Sequence, residues 1–212
     1  MTSTVVLLLV VTAAVAVIDW MAVHIQNKPI EYVAKPLTML VLIAAVTQMN
    51  PSNTTARIFF LAALFFSMVG DIFLMLPNRE KWFVFGLGSF LIGHLAYIPG
   101  LWLLGISLPE LGIGLAIVVL AVGLIGLRIV KGVREREPKL AAPVTVYMSV
   151  ISLMVASAIG TGRVVAIAGA ILFFCSDALI AWNGFIKEYS WGRLAIIVTY
   201  HLGQIGLALA LI

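Results

Sequence analysis

Long apolar runs, separated by short polar or charged segments, follow one another along almost the whole chain. Crossing about 30 Å of hydrocarbon takes roughly 20 helical residues, with a usual range of about 17–25. The runs are continuous rather than alternating, which favours spanning helices over the strands of a barrel. They predict eight transmembrane helices, roughly at 3–23, 34–49, 55–76, 82–104, 108–130, 140–160, 162–186 and 191–212.

Three local signals refine these boundaries. No lysine or arginine precedes the first run, so it lacks the charged leader of a signal peptide, and we interpret it as the first membrane helix. The second run opens with Lys35 and Pro36, and proline is typical of the first turn of a helix. Residues 128–139 form the longest charged stretch and predict a basic loop that joins two halves of the chain.

Composition agrees with a lipid environment. Of the 212 residues, 63% are hydrophobic and 10% charged, with a mean hydropathy of +1.16. Soluble domains carry about 25% charged residues. We therefore expect an all-α integral membrane protein that forms a single transmembrane domain over residues 1–212.

The distribution of basic residues predicts the orientation. Of the 13 lysines and arginines, only Arg57 and Arg163 fall on one side of the predicted bundle. An excess of basic residues marks the cytoplasmic side, so both termini are expected on the non-cytoplasmic side of a cell membrane. This pattern of short basic loops reflects topology and argues against a nucleic-acid partner. The eleven residues on the cytoplasmic side are Lys28, Lys35, Arg79, Lys81, Arg128, Lys131, Arg134, Arg136, Lys139, Lys187 and Arg193.

Matching residues recur between the two halves of the chain. Asp71 matches Asp177 at an offset of 106, and His94 matches His201 at an offset of 107. Leucine and alanine match easily by chance, but aspartate and histidine are rarer residues in such helices. The pattern favours two parallel four-helix repeats, 1–104 and 108–212, joined near the basic loop 128–139, as in some transporters.

Ionisable side chains inside membrane helices are the candidate functional residues. Each costs several kcal/mol unless it faces a cavity or a partner. They occupy the cytoplasmic half or the centre of the predicted bundle, which favours a polar cavity open to the cytoplasm. The members are Asp71, His94, Asp177 and His201, with Tyr97, Tyr200 and Gln204 within one turn of the histidines, and Asp19, Glu31 and Lys35 at the cytoplasmic mouth of the first two helices.

Structural explanations for the same residues stay open. Each aspartate could form a hydrogen-bonded pair, with Lys35 or with a tyrosine, and each histidine could bond a neighbouring helix. Lys35 could instead extend to the membrane surface. Ser67 and Ser176 accompany the aspartates and are more typical of capping or packing. Glycines near these residues would let helices approach closely, namely Gly86, Gly93, Gly203 and Gly206.

No familiar catalytic or metal-binding spacing is present. The chain lacks HExxH and GxSxG, and two histidines with two aspartates are only a weak ligand set. We therefore expect no metal and no cofactor.

In their order along the chain, these residues resemble the YhhN-type lysoplasmalogenase family of membrane proteins. The matching pieces are Lys35-Pro36, Gly70-Asp71, the stretch FVFGLGSFLIGHLAY that ends at Tyr97, Ser176-Asp177, and Tyr200, His201 and Gln204. The resemblance extends from the second helix to the eighth.

The resemblance implies hydrolysis of the vinyl ether bond of lysoplasmalogens, which yields a fatty aldehyde and a glycerophospho-base. Two carboxyls can divide such chemistry, as in glycosidases, and burial favours the protonated form of one of them. Asp71 and Asp177 are the candidates for the catalytic acid and its charged partner. The histidines and tyrosines, with Gln204, would orient water and the leaving oxygen.

On this hypothesis Lys35 would hold the phosphate of a lysophospholipid substrate, with membrane lipid as the surrounding solvent. A proton-coupled transporter or a lipid-binding membrane protein is the alternative, since buried carboxylates and repeats also suit a carrier. The sequence indicates no oligomeric state.

Overall fold

The computed structural model describes residues 1–77 and 79–212, and the side chains of residues 79 and 80, including that of Arg79, lie outside this description. Eight helices in the described residues are long and apolar enough to cross a membrane, which confirms the predicted all-α class. The helices are α1 (Ser3–His24), α2 (Lys28–Gln48), α3 (Thr54–Met75), α4 (Arg79–Trp102), α5 (Leu108–Arg136), α6 (Ala141–Gly160), α7 (Val164–Phe185) and α8 (Gly192–Leu209).

The helix surfaces are largely apolar and exposed. Between 22% and 56% of each hydrophobic window is buried inside the protein. Leucine, valine and isoleucine side chains cover much of the remainder. A surface of this kind is stable only in contact with lipid, so the chain is a multi-pass membrane protein.

Helix α2 begins earlier than the sequence predicted, at Lys28 rather than near residue 34. The Asn27 side chain accepts a hydrogen bond from the Ile30 backbone N–H at 3.3 Å, and Pro29 occupies the first turn. Pro36 therefore lies inside the helix, and its assignment to the first turn is wrong. The earlier start adds roughly two turns and moves Lys35 away from the helix end.

Helix α5 continues to Arg136, so the predicted basic loop at 128–139 is mostly helical. Ile129 and Val133, four residues apart, are buried, while the charged residues take the opposite face. A Cβ at Gly132 would lie 2.6 Å from the Phe185 carbonyl oxygen, so this segment packs directly against the end of α7. Arg136 donates to the Ile186 carbonyl at 2.8 Å and holds that end.

The described chain divides into two compact units, which we call unit 1 (Met1–Leu104 with Ala208–Ile212) and unit 2 (Gly105–Leu207). In unit 1, α1 packs on α2, α2 on α3, and α3 on α4. Its core includes Met39, Leu42, Phe60 and Leu64, all fully buried.

In unit 2, α5 packs on α6 and α6 packs on α7. Glycines bring α7 and α8 into backbone contact, because a Cβ at Gly169 would lie 2.5 Å from the Leu207 nitrogen and one at Gly203 would lie 2.9 Å from the Phe173 nitrogen. The predicted packing role of Gly203 therefore agrees with its surroundings.

Candidate functional site

An ion pair between α2 and α3 lies in the interior of unit 1. The Lys35 Nζ atom is 2.8 Å from Asp71 Oδ1, and the two side chains are 14% and 2% exposed. The earlier start of α2 places Lys35 about 10 Å along that helix. The Lys35 ammonium group therefore pairs with the buried aspartate and does not extend to the membrane surface.

Burial of the Lys35–Asp71 ion pair costs desolvation free energy. Removing two charges from water carries a penalty of several kcal/mol for each ion, which only close and well-directed contacts offset. Paired charges of this type inside a membrane protein most often mark a functional position. The ion pair with Lys35 is the one that the structural explanation for Asp71 required. It is equally compatible with a functional role of Asp71.

His94 and Tyr97 enter the same unit from α4. His94 is buried, and its Nδ1 lies 2.6 Å from the Phe90 carbonyl oxygen, so Nδ1 is the donor of this hydrogen bond. Tyr97 is fully buried, with its ring edge-on to that of Phe60 at 5.2 Å. Both residues thus have fixed orientations.

The second aspartate has a different partner. Tyr147 on α6 donates its hydroxyl hydrogen to Asp177 Oδ2 on α7, at 2.5 Å. Asp177 is only partly buried, whereas Tyr147 is buried. Tyr147 was not singled out in the sequence. In the sequence it is a tyrosine within an apolar helix, and nothing distinguishes it from the other tyrosines of the chain.

The remaining predicted residues of unit 2 lie on α8. Tyr200, His201 and Gln204 are all buried. The Tyr200 ring is edge-on to that of Phe173 on α7, at 5.5 Å. Ser176 bonds the Ile196 carbonyl at 3.0 Å, so its predicted packing role agrees with its contact.

The two units share a local pattern. In each, the aspartate of the third helix bonds a side chain of the second helix, and a tyrosine of the fourth helix packs edge-on to a phenylalanine of the third. This likeness is what a duplication would produce. The duplication itself stays a prediction.

Two acidic residues that the sequence placed at the helix ends are also buried. Asp19 on α1 is 0% exposed, and Glu31 on α2 is 7% exposed. The Glu31 carboxylate pairs with Lys28 at 2.9 Å. In the part of the chain that the structure describes, no three histidine, cysteine, aspartate or glutamate side chains form a group that could hold a metal ion.

Eight apolar helices, with a few buried polar side chains in each unit, define a multi-pass membrane protein. The YhhN family matches over residues 30–211, so the chain belongs to the YhhN family. That match leaves out the whole of α1 and with it Asp19.

Several relatives of the chain share a name. The chain is 35% identical over 153 residues to the lysoplasmalogenase of Mycobacterium bovis, across 70% of this chain and 58% of that protein. It is 31% identical over 176 residues to human lysoplasmalogenase TMEM86B, across 83% of this chain and 73% of that protein. The chain therefore spans less than two thirds of the mycobacterial relative. No solved structure matches it.

Proposed function

We propose that this chain is a membrane hydrolase that cleaves the vinyl ether bond of lysoplasmalogen and releases a fatty aldehyde and a glycerophospho-base. The buried Asp71 carboxylate, held by Lys35 within an apolar bundle, is the observation that carries the proposal. The names of its relatives supply the substrate class.

The reaction needs an acid and a base. An acid adds a proton to the β-carbon of the C=C–O group, which leaves an oxocarbenium ion at the carbon bonded to oxygen. Water adds to that carbon and gives its proton to a base, which forms a hemiacetal. The hemiacetal loses the glycerol oxygen as an alcohol and becomes the aldehyde, so one water is consumed for each ether cleaved.

We assign the charged role to Asp71. An ammonium group in direct contact favours the ionised carboxylate, which can stabilise a cation and accept a proton from water. Asp177 is then the acid, with Oδ2 oriented by Tyr147 and the transferable proton on Oδ1. The engagement of Lys35 with Asp71 favours the basic cytoplasmic residues over Lys35 for binding of the substrate phosphate.

The test compares Asp71→Asn and Asp177→Asn with Glu188→Gln, a matched loss of a carboxylate at an exposed loop position. Purified protein is given lysoplasmalogen or its saturated alkyl ether analogue, and aldehyde release is measured. We expect aldehyde only from the vinyl ether and a fall of about 10²–10⁴-fold in each aspartate variant, the usual contribution of acid–base catalysis. Glu188→Gln should retain wild-type activity.

Two results would contradict the proposal in different ways. Full activity in well-folded aspartate variants would remove the site assignment and leave the reaction. No aldehyde from the wild-type protein, with lysolipid still bound, would favour the transporter or lipid-binding alternative.

We also propose that the protein lies in the cell membrane with both termini on the non-cytoplasmic side, on the distribution of its basic residues.

A further inference from the structure

Seven serine and threonine side chains on the described helices are buried. A hydroxyl in an apolar helix normally bonds a backbone carbonyl, because a buried polar group without a partner costs free energy. Five of the seven follow this rule, with oxygen–oxygen distances of 2.6–3.0 Å. The five are Thr12, Thr38, Ser89, Ser157 and Ser176.

The other two, Ser67 and Ser152, differ. Among the described residues, neither Oγ atom has a hydrogen-bond partner, although both side chains are buried. Ser152 lies five residues after Tyr147, about 140° around α6, and so does not share the face of the tyrosine that holds Asp177. Ser67 lies four residues before Asp71 on α3, which places both side chains on one face, one turn apart.

The surroundings of Ser67 provide neither bulk water nor a facing side chain of α4 to its hydroxyl. Its side chain is 1% exposed, so bulk water does not solvate it. The facing residue of α4 is Gly93, where a Cβ would lie 3.1 Å from Ser67 Oγ. Helix α4 therefore approaches the hydroxyl without a side chain. His94 follows directly in the sequence and is buried in the same unit.

We propose that Ser67 is a substrate-binding residue whose Oγ bonds a hydroxyl group one helical turn from Asp71. This inference rests on the proposed function. The hydroxyl belongs either to the attacking water or to the free glycerol hydroxyl of the lysolipid. Both need a neutral group that can donate and accept beside the charged carboxylate, and a serine hydroxyl does both.

The first experiment compares Ser67→Ala with Ser157→Ala, which removes a buried serine hydroxyl that bonds its own helix at 2.8 Å. We expect kcat/KM for vinyl ether cleavage to fall roughly tenfold in Ser67→Ala, as for the loss of one hydrogen bond. The thermal stability of Ser67→Ala in detergent should be unchanged or raised, because the deleted hydroxyl has no protein partner. Ser157→Ala should retain wild-type activity.

A second substrate identifies the bonded group. An analogue that lacks the free glycerol hydroxyl is cleaved by wild type and by Ser67→Ala. If the deficit of the variant disappears with this analogue, Ser67 binds the glycerol hydroxyl. If the deficit persists and lies in kcat, Ser67 binds the attacking water. Either result supports the inference.

Other results overturn it. Equal activity of Ser67→Ala and Ser157→Ala would show that the hydroxyl contacts no substrate. A Ser67→Ala protein that is unstable or does not fold would show that the hydroxyl is structural. An inactive wild-type protein would refute the proposed function itself, and this inference with it, so the two failures are distinguished by the wild-type assay.

Discussion

Two ion pairs among the described residues of unit 1 have similar distances and different surroundings. Lys35 and Asp71 meet at 2.8 Å in the interior, and Lys28 and Glu31 meet at 2.9 Å where the lysine is half exposed. Breaking a pair in which both charges are buried leaves an uncompensated charge in an apolar environment, whereas a pair with one exposed member stays partly solvated and contributes less. The two pairs therefore provide an internal comparison.

We expect Lys35→Gln to lower the free energy of unfolding by about 3–5 kcal/mol, because it leaves the Asp71 carboxylate buried without its ammonium partner. The double variant Lys35→Gln with Asp71→Asn should recover much of that loss, and it should stay inactive in aldehyde release. Thermal unfolding in detergent measures the first effect, and Lys28→Gln is the matched control. If Lys28→Gln proved as destabilising as Lys35→Gln, burial would not govern the strength of these pairs.

At the scale of single residues, the sequence indicated which polar side chains lie inside the helices but did not indicate their partners. Asp71 and Lys35 stood out because charges are rare in membrane helices. Their contact could not be derived, since it depends on how α2 and α3 pack and on a helix start six residues earlier than expected. Tyr147 and Ser67 are common residue types, and the contacts that distinguish them, with Asp177 and with Gly93, involve residues that are remote in sequence.

Helix contacts in unit 2 depend on positions without side chains. A Cβ at Gly169 would lie 2.5 Å from the Leu207 nitrogen and 2.8 Å from the Gly206 carbonyl carbon. These are backbone atoms, which cannot rotate out of the way as a side chain can. Small residues at such contacts let membrane helices approach closely, where dispersion and weak hydrogen bonds act.

We expect Gly169→Ala to destabilise the protein by about 1–3 kcal/mol, because the added methyl group would force α7 and α8 apart. The control is Gly112→Ala on α5, where an added Cβ meets nothing within 4 Å. That variant should be neutral or slightly more stable, since alanine favours helix by up to about 1 kcal/mol over glycine. Equal thermal stability of the two variants would contradict direct backbone contact between these helices.

At the scale of helices, hydrophobic runs predicted all eight spans and misplaced two ends by six residues each. The start of α2 was signalled by Asn27 and Pro29, but Pro36 gave a competing signal of the same kind. The end of α5 was hidden because charged residues suggested a loop. The spacing of Ile129 and Val133 was the counter-signal, and the contact of Arg136 with the end of α7 could not be seen in sequence.

For the whole molecule, composition alone predicted a lipid environment, because no soluble fold can bury this much apolar surface. The placement of basic residues then predicts a direction, with eleven of 13 on the cytoplasmic side. The extension of α5 to Arg136 leaves that prediction unchanged, since it lengthens a helix at its basic end without changing the number of crossings.

Two matched cysteine variants test the direction. In a Cys175→Ser background, Ser52→Cys lies between α2 and α3, and Ser190→Cys lies between α7 and α8; both positions are exposed. A membrane-impermeant maleimide added to intact cells should label Ser52→Cys at once and Ser190→Cys only after the membrane is made permeable. Lysis should label both equally, which controls for intrinsic reactivity. The opposite labelling pattern would show that the predicted topology is reversed. The basic segments would then lie on the outer side, against the known excess of lysine and arginine in cytoplasmic loops.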